Sequence, residues 1–191
     1  MDSNILNDNY ELVSISGLCT SSDVRDVISK YPYWLQMNIP ETLAIPTAKP
    51  DIEQINSVNI SVNIFRNAVI KVPVSPVDEN GNYIPNLEGK ISTGRKLIIE
   101  GELCQKVVYT ADEPEQSLHS AHFYVPFSSY IVVPKEILFN NGQLTEDSLN
   151  VNFQVNACIE DVIVKMVDKR TILKQVTMLL YAVPNQSTNN N

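Results

Sequence analysis

Ser57–Phe65, SVNISVNIF, decides the fold class. Val58, Ile60, Val62 and Ile64 alternate with Ser57, Asn59, Ser61 and Asn63. A period of two places successive side chains on opposite faces of an extended chain, so this is a strand with one dry and one wet face. Downstream, Ala68–Val74 is also strand-like, and the segment SPVDENGNYIPNLEGKISTG, rich in Pro, Asn and Gly, reads as a long solvent-facing turn region. Four more β-rich stretches follow: LIIEGELCQKVVYTA, SLHSAHFYVPFSSYIVV, VNFQVNACIEDVIVKMVD and TILKQVTMLLYAV. The polar breaks ADEPEQ, FNNGQLTED and DKR separate them, a pattern that predicts an antiparallel meander. In the third stretch the apolar residues are odd-numbered from Val151 to Ile159 and even-numbered from Val162 to Met166. A change of phase needs an extra residue, so a bulge is expected at Glu160–Asp161.

Upstream of the alternating stretch, Pro50 followed by Asp51, Ile52, Glu53 and Ile55 reads as a helical turn with acidic residues near its positive end. Before it, Pro32, Pro40, Pro46 and Pro50 punctuate a segment that also carries Trp34, Leu35, Met37, Ile39, Leu43 and Ile45. The prolines favour extended backbone, and the apolar residues need cover, so an ordered extended strap is expected. SSDVRDVISK, with Ser21, Ser22 or Asp23 as cap and Val24, Val27 and Ile28 on one face, predicts a short helix stopped by Pro32. No repeat of solenoid length is visible. The fold expected is mainly β, an antiparallel β-sandwich or partly closed barrel with a short N-terminal helix and the Pro-rich strap. Residues 1–30 form an N-terminal segment, and residues 184–191 are expected to be a disordered tail.

The chain has 191 residues, enough for one sizeable core, and is 43% hydrophobic. Its longest apolar runs fall well short of the roughly 18 residues of a membrane span, so a soluble chain without such a span is expected. The opening MDSNILNDNY lacks the basic and apolar regions of a secretory signal, which predicts synthesis in a cytoplasm. A net charge of −8 opposes nucleic acid as a general partner.

Chemistry is sparse. His119 and His122 are the only histidines, and three-residue spacing on a strand puts them on opposite faces, where they cannot share a metal or a proton. Ser117, Ser120, Ser128 and Ser129 lie near them without a nucleophile-elbow motif or a placed carboxylate. Asp112, Glu113 and Glu115 read as a solvated hairpin tip, and Glu160–Asp161 makes a second acidic group. Tyr31, Tyr33, Trp34, Phe123, Tyr124, Phe127 and Tyr130 suit either core packing or a sugar-stacking platform. No phosphate loop, dinucleotide fingerprint or metal-ligand set is present, and neither catalytic residues nor a cofactor are expected. Cys19, Cys104 and Cys158 are odd in number and widely spaced; each is either a buried apolar residue or a candidate for an intermolecular disulfide.

KPDIEQINSVNISVNIFRNAVIKVPV, NLEGKISTGRKLIIEGELCQKVVYTA, EPEQSLHSAHFYVPFSSYIVVP and VNACIEDVIVKMVDKRTILKQVTMLLYAV together resemble the SPOCS domain of spore-forming Firmicutes, in a small single-domain clostridial form. The resemblance runs from about Tyr31 to Val183, and the order of EGELCQKVVYTA before HSAHFYVPFSSYI carries most of it. It implies association with the spore coat or exosporium, synthesis in the mother cell and deposition on the spore surface. It brings no established catalytic residues. Larger morphogenetic members carry a LysM peptidoglycan-binding module where this sequence reads YAVPNQSTNNN, so a hub role that depends on such a module is not expected. The function expected is a self-associating structural protein whose partners are further copies of itself or other spore-layer proteins. A monomeric adaptor, using the polar face of Ser57, Asn59, Ser61 and Asn63, is the alternative, and a carbohydrate-binding module or enzyme comes third.

Overall fold

A computed structural model describes residues 13–139 and 142–186. Nine strands and one α-helix follow in the order β1 (Ser14–Ser16), α1 (Ser21–Lys30), β2 (Trp34–Ala44), β3 (Ile52–Val74), β4 (Thr93–Ala111), β5 (Leu118–Val132), β6 (Glu136–Phe139), β7 (Leu144–Asp147), β8 (Asn152–Met166) and β9 (Thr171–Asn185). One sheet has the order β1-β3-β4-β5 and another β2-β9-β8, while β6 and β7 form a short hairpin. All pairings are antiparallel except β1 with β3. The two larger sheets remain open and enclose one core, to which Ile39, Leu43, Ile172, Val176 and Met178 contribute from one side and Val58, Ile99, Leu103, Val107 and Ala121 from the other. This is a sandwich, and no barrel closes.

Local chemistry explains the elements. In the opening stretch Val58 and Ile60 are buried while Asn59, Ser61 and Asn63 are exposed, as alternation requires. The expected bulge falls between Ile159 and Asp161 in the β8–β9 register. Val151, Phe153 and Ile159 face the core before it, and Val162 and Val164 after it.

Several expectations are corrected or sharpened. Pro50–Ile55 forms no helical turn: β3 begins at Ile52, and register shifts at Ile52/Gln54 and Ile55/Ser57 turn both isoleucines inward. The three-residue spacing that reads as helical thus comes from bulges in a strand. The helix cap is Thr20, whose side chain accepts from the Asp23 amide while the Asp23 carboxylate accepts from the Thr20 amide, a reciprocal box that Ser21, Ser22 or Asp23 as cap would forgo. The Pro-rich strap is strand β2, in unbroken register with β9 from Trp34↔Tyr181 to Ala44↔Thr171. Its edge position tolerates Pro40. The polar break FNNGQLTED contains β7, and the meander is limited to β3–β4–β5 because β8 pairs with β9 in the other sheet rather than with β5. At the C-terminus β9 extends to Asn185, into the stretch expected as tail, and residues 187–191 lie outside the described residues.

The N-terminal segment ties the two sheets together at one side. Ser14–Ser16 pairs with Ser57–Asn59 of β3, and two residues later Leu18 bridges Ile159 of β8, with the Cys19 amide donating to the Ile159 carbonyl at 2.8 Å. The crossing turns on Gly17, at φ +101°, where a Cβ would sit 1.9 Å from the Ile60 carbonyl oxygen. Only glycine combines that conformation with that approach.

Candidate interaction surface

Two lengths decide where strand edges are left open. β3 has 23 residues, but β1 covers it only at Ser57–Asn59. From Ile60 to Val74 its outer edge has no strand beside it among the described residues. Beyond the shift at Ile64/Arg66 the strand overhangs the core: Phe65 is 58% exposed, Ile70 42% and Val74 56%. Exposed apolar residues continue into the loop 75–92 at Val77, Tyr83, Ile84, Leu87 and Ile91. Exposed apolar residues beside an unpaired strand edge, itself a template for pairing, make this stretch the candidate interaction surface.

That loop is held by its own hydrogen bonds. Asp78 Oδ1 accepts from the amides of Asn80 (3.0 Å) and Asn82 (2.8 Å), and Asn86 Oδ1 accepts from those of Glu88 and Lys90 (2.9 Å each). The segments DENGN and NLEGK therefore form the same side-chain-closed turn, with Gly81 and Gly89 both at positive φ. At the base, the Ser75 amide donates to the Ser92 carbonyl at 2.8 Å. The Asp78 amide bonds hold its carboxyl below the ordinary carboxylate range.

Beside the loop lies a groove of about 660 Å³, whose apolar lining includes Trp34, Leu35, Ile91 and Tyr130 and whose cations are Lys90 and Lys96. The Lys96 ammonium sits 3.8 Å from the centroid of the Tyr130 ring, a cation–π contact. Of the aromatic residues singled out from the sequence, Trp34 and Tyr130 meet here; Tyr31 stacks on Tyr181 and Tyr33 packs edge-on against Phe153. Phe123 and Phe127 pack against the core, and Tyr124 faces outward.

The candidate catalytic groups are separated. His119 faces the core side, its ring stacked on Tyr109 and its Nε2 3.0 Å from Ser117 Oγ; His122 is exposed on the other face. Asp112 is paired with Lys169, and Glu160 accepts from Gln36 at 2.8 Å. Of the polar face proposed for an adaptor, Asn59 accepts from Ser16 and Asn63 donates to Glu102. No group of three or more His, Cys, Asp or Glu is placed to hold a metal among the described residues. No helix among them is long and apolar enough to cross a membrane.

The cysteines divide. Cys19 and Cys158, both candidates for linking chains, are bonded to each other within one chain, with Cα atoms 5.7 Å apart. The Leu18–Ile159 bridge that brings the segments together explains the pairing. Cys104 is the free thiol, half-buried on the outer face of the first sheet between Ser61 and Tyr124. Burial, assisted by the Glu102 carboxylate, pushes it above its ordinary value, which keeps it protonated and a weak nucleophile.

One polar cluster was not anticipated. Glu41 of β2 and Lys174 of β9 are cross-strand partners that face the core, with side chains 1% and 0% exposed and Oε2 and Nζ 3.0 Å apart. Gln105 of β4 reaches across from the opposite sheet and donates to Glu41 Oε2 at 2.9 Å. Glu41 Oε1 and Gln105 Oε1 have no hydrogen-bond partner among the described residues. The signal was available in the alternation of Ile39, Glu41 and Leu43, and of Ile172, Lys174 and Val176, which puts both charges on the apolar face.

Among known proteins, a family model described as SipL, SPOCS domain, matches residues 51–167. The match takes in β3 to β8 and leaves β2 and β9 outside it. No curated protein and no solved structure matches the chain.

Proposed function

Because the chain belongs to the SPOCS domain family, and is with it a sporulation-related protein, we propose that it is a non-enzymatic structural or morphogenetic component of the spore surface layers. In this reading it is made in the mother cell, deposited in the coat or exosporium, and works by self-association through its β surfaces. The observation that carries the reading is the edge of β3 beyond the Gly17 contact at Ile60, which has no strand beside it among the described residues and carries the exposed Phe65, Ile70 and Val74. Backbone groups along such an edge supply affinity, and the alternating side chains supply register. The separation of His119 from His122 supports a non-enzymatic role.

The test is size-exclusion chromatography with negative-stain electron microscopy on the full chain, beside a Phe65→Lys/Ile70→Lys variant. Both side chains are exposed, so the variant folds while its edge becomes charged. Ordered multimers that dissolve in the variant are expected. A wild-type chain that stays monomeric at all concentrations would refute self-association and favour an adaptor that needs a different protein.

A further inference from the structure

Leu87 is 108% exposed, as open as in an unfolded peptide, yet it sits on a turn closed by four hydrogen bonds between Asn86 and Lys90 or within their span. A rigid loop holding a fully exposed leucine presents a knob. The groove of Trp34, Leu35, Ile91 and Tyr130 is a hole of the right chemistry, and Asn86 and Lys90 belong to both the turn and the groove wall. Knob and hole therefore share the Asn86–Lys90 turn, so each copy carries both halves of a reciprocal contact.

Charge points the same way. The knob carries Glu88 next to Leu87, whereas the groove presents Lys90 and Lys96 in a chain of net charge −8. Glu88 pairs with Lys90 of its own turn at 2.7 Å, but both side chains are largely exposed, so this weak surface pair is readily exchanged for one between Glu88 and the Lys96 of a second copy.

We infer that the groove receives the Asn86–Gly89 turn of a second copy of this chain, with Leu87 seated between Trp34 and Tyr130 and Glu88 facing Lys96, in a two-fold dimer. A contact in which each copy offers both halves is self-complementary and closes at two. This interface deepens the self-association reading and rests on it, and the β3 edge remains free to join dimers into larger assemblies.

Sedimentation velocity on the full chain over a range of concentrations tests the inference, with circular dichroism to confirm folding. Leu87→Glu touches nothing in the monomer and is expected to weaken the dimer at least ~10-fold, as loss of a central anchor does. Lys96→Glu and Glu88→Lys should each weaken it, and the two together should restore it. A dimer indifferent to Leu87→Glu, or one that the charge exchange fails to rescue, would overturn this interface; if Phe65→Lys/Ile70→Lys then dissolves the assembly, self-association through β surfaces stands without it. A wild-type chain monomeric throughout would overturn both.

Discussion

Replacing Glu41 by Ala leaves the Lys174 ammonium, 0% exposed, without its counter-ion and removes the acceptor of the Gln105 amide. Breaking one side of a buried ion pair costs roughly 3–5 kcal/mol because the remaining charge is still desolvated. For a chain of this size each kcal/mol moves the melting temperature by roughly 2–4 °C, so a fall of about 6–20 °C is expected. Replacing both partners, Glu41→Leu with Lys174→Met, removes the desolvated charges together and is expected to restore stability to within about 1 kcal/mol of wild type, or to exceed it. Urea denaturation of the three chains, followed by circular dichroism, gives the comparison. A loss below about 1 kcal/mol for Glu41→Ala would refute the reasoning, because it would mean that water reaches Lys174. The pH dependence has a definite sign. Burial pushes Lys174 below its ordinary 10.5, with Glu41 opposing the shift. The folded state thus binds its proton less tightly than the unfolded state. The resulting penalty is fully present below the folded pKa and is relieved as pH rises from there towards 10.5. The wild type should therefore gain stability relative to the Leu/Met double variant across that window.

Three further outcomes are expected. Reducing the Cys19–Cys158 bond, which spans 139 positions, should cost about 5 kcal/mol by loop closure, and mass spectrometry after alkylation without reductant should show one modified cysteine, Cys104. Gly17→Ala should destabilise the fold by more than about 1 kcal/mol in thermal melts, because it adds a Cβ against the Ile60 carbonyl at a positive φ. Arg170→Lys should cost about 2 kcal/mol by chemical denaturation, since the guanidinium serves the carbonyls of Ile45 (3.1 Å), Pro46 (2.7 Å) and Lys49 (3.3 Å) as well as Asp51, and one ammonium cannot span them.

What was legible followed from periodicity. The alternation in Ser57–Phe65 and the change of phase after Ile159 are local facts, and each appears in the structure as a half-buried strand and a bulge. Where two bulges lie close together, as at Ile52–Ser57, the same rule misleads, because inward residues fall three apart and imitate a helix. Pairing is not local. Nothing near Cys19 indicates that it meets Cys158; that depends on Gly17 turning the chain from β3 towards β8. Nor did the loop 75–92 reveal itself as more than solvent-facing, since the openness of Leu87 arises from two closed turns whose combined direction only the fold sets.

The placement of polar and apolar groups in this molecule is inverted at two points, and the inversions are complementary. Inside, Glu41, Lys174 and Gln105 occupy positions that apolar residues would fill at lower cost. A slip of β2 by one residue would turn Glu41 outward and leave Lys174 buried alone, so the pair penalises every register but one. Outside, Phe65, Ile70, Val74 and Leu87 lie where polar residues would be neutral for folding. Their exposed surface adds little to the monomer, so substitutions there are expected to alter the proposed assembly with little change in the stability of the single chain, whereas substitutions at Glu41 or Lys174 are expected to lower that stability. A sandwich whose interior fixes register is suited to present sticky edges, because a strand edge that cannot slide within its own sheet offers a neighbour a single alignment.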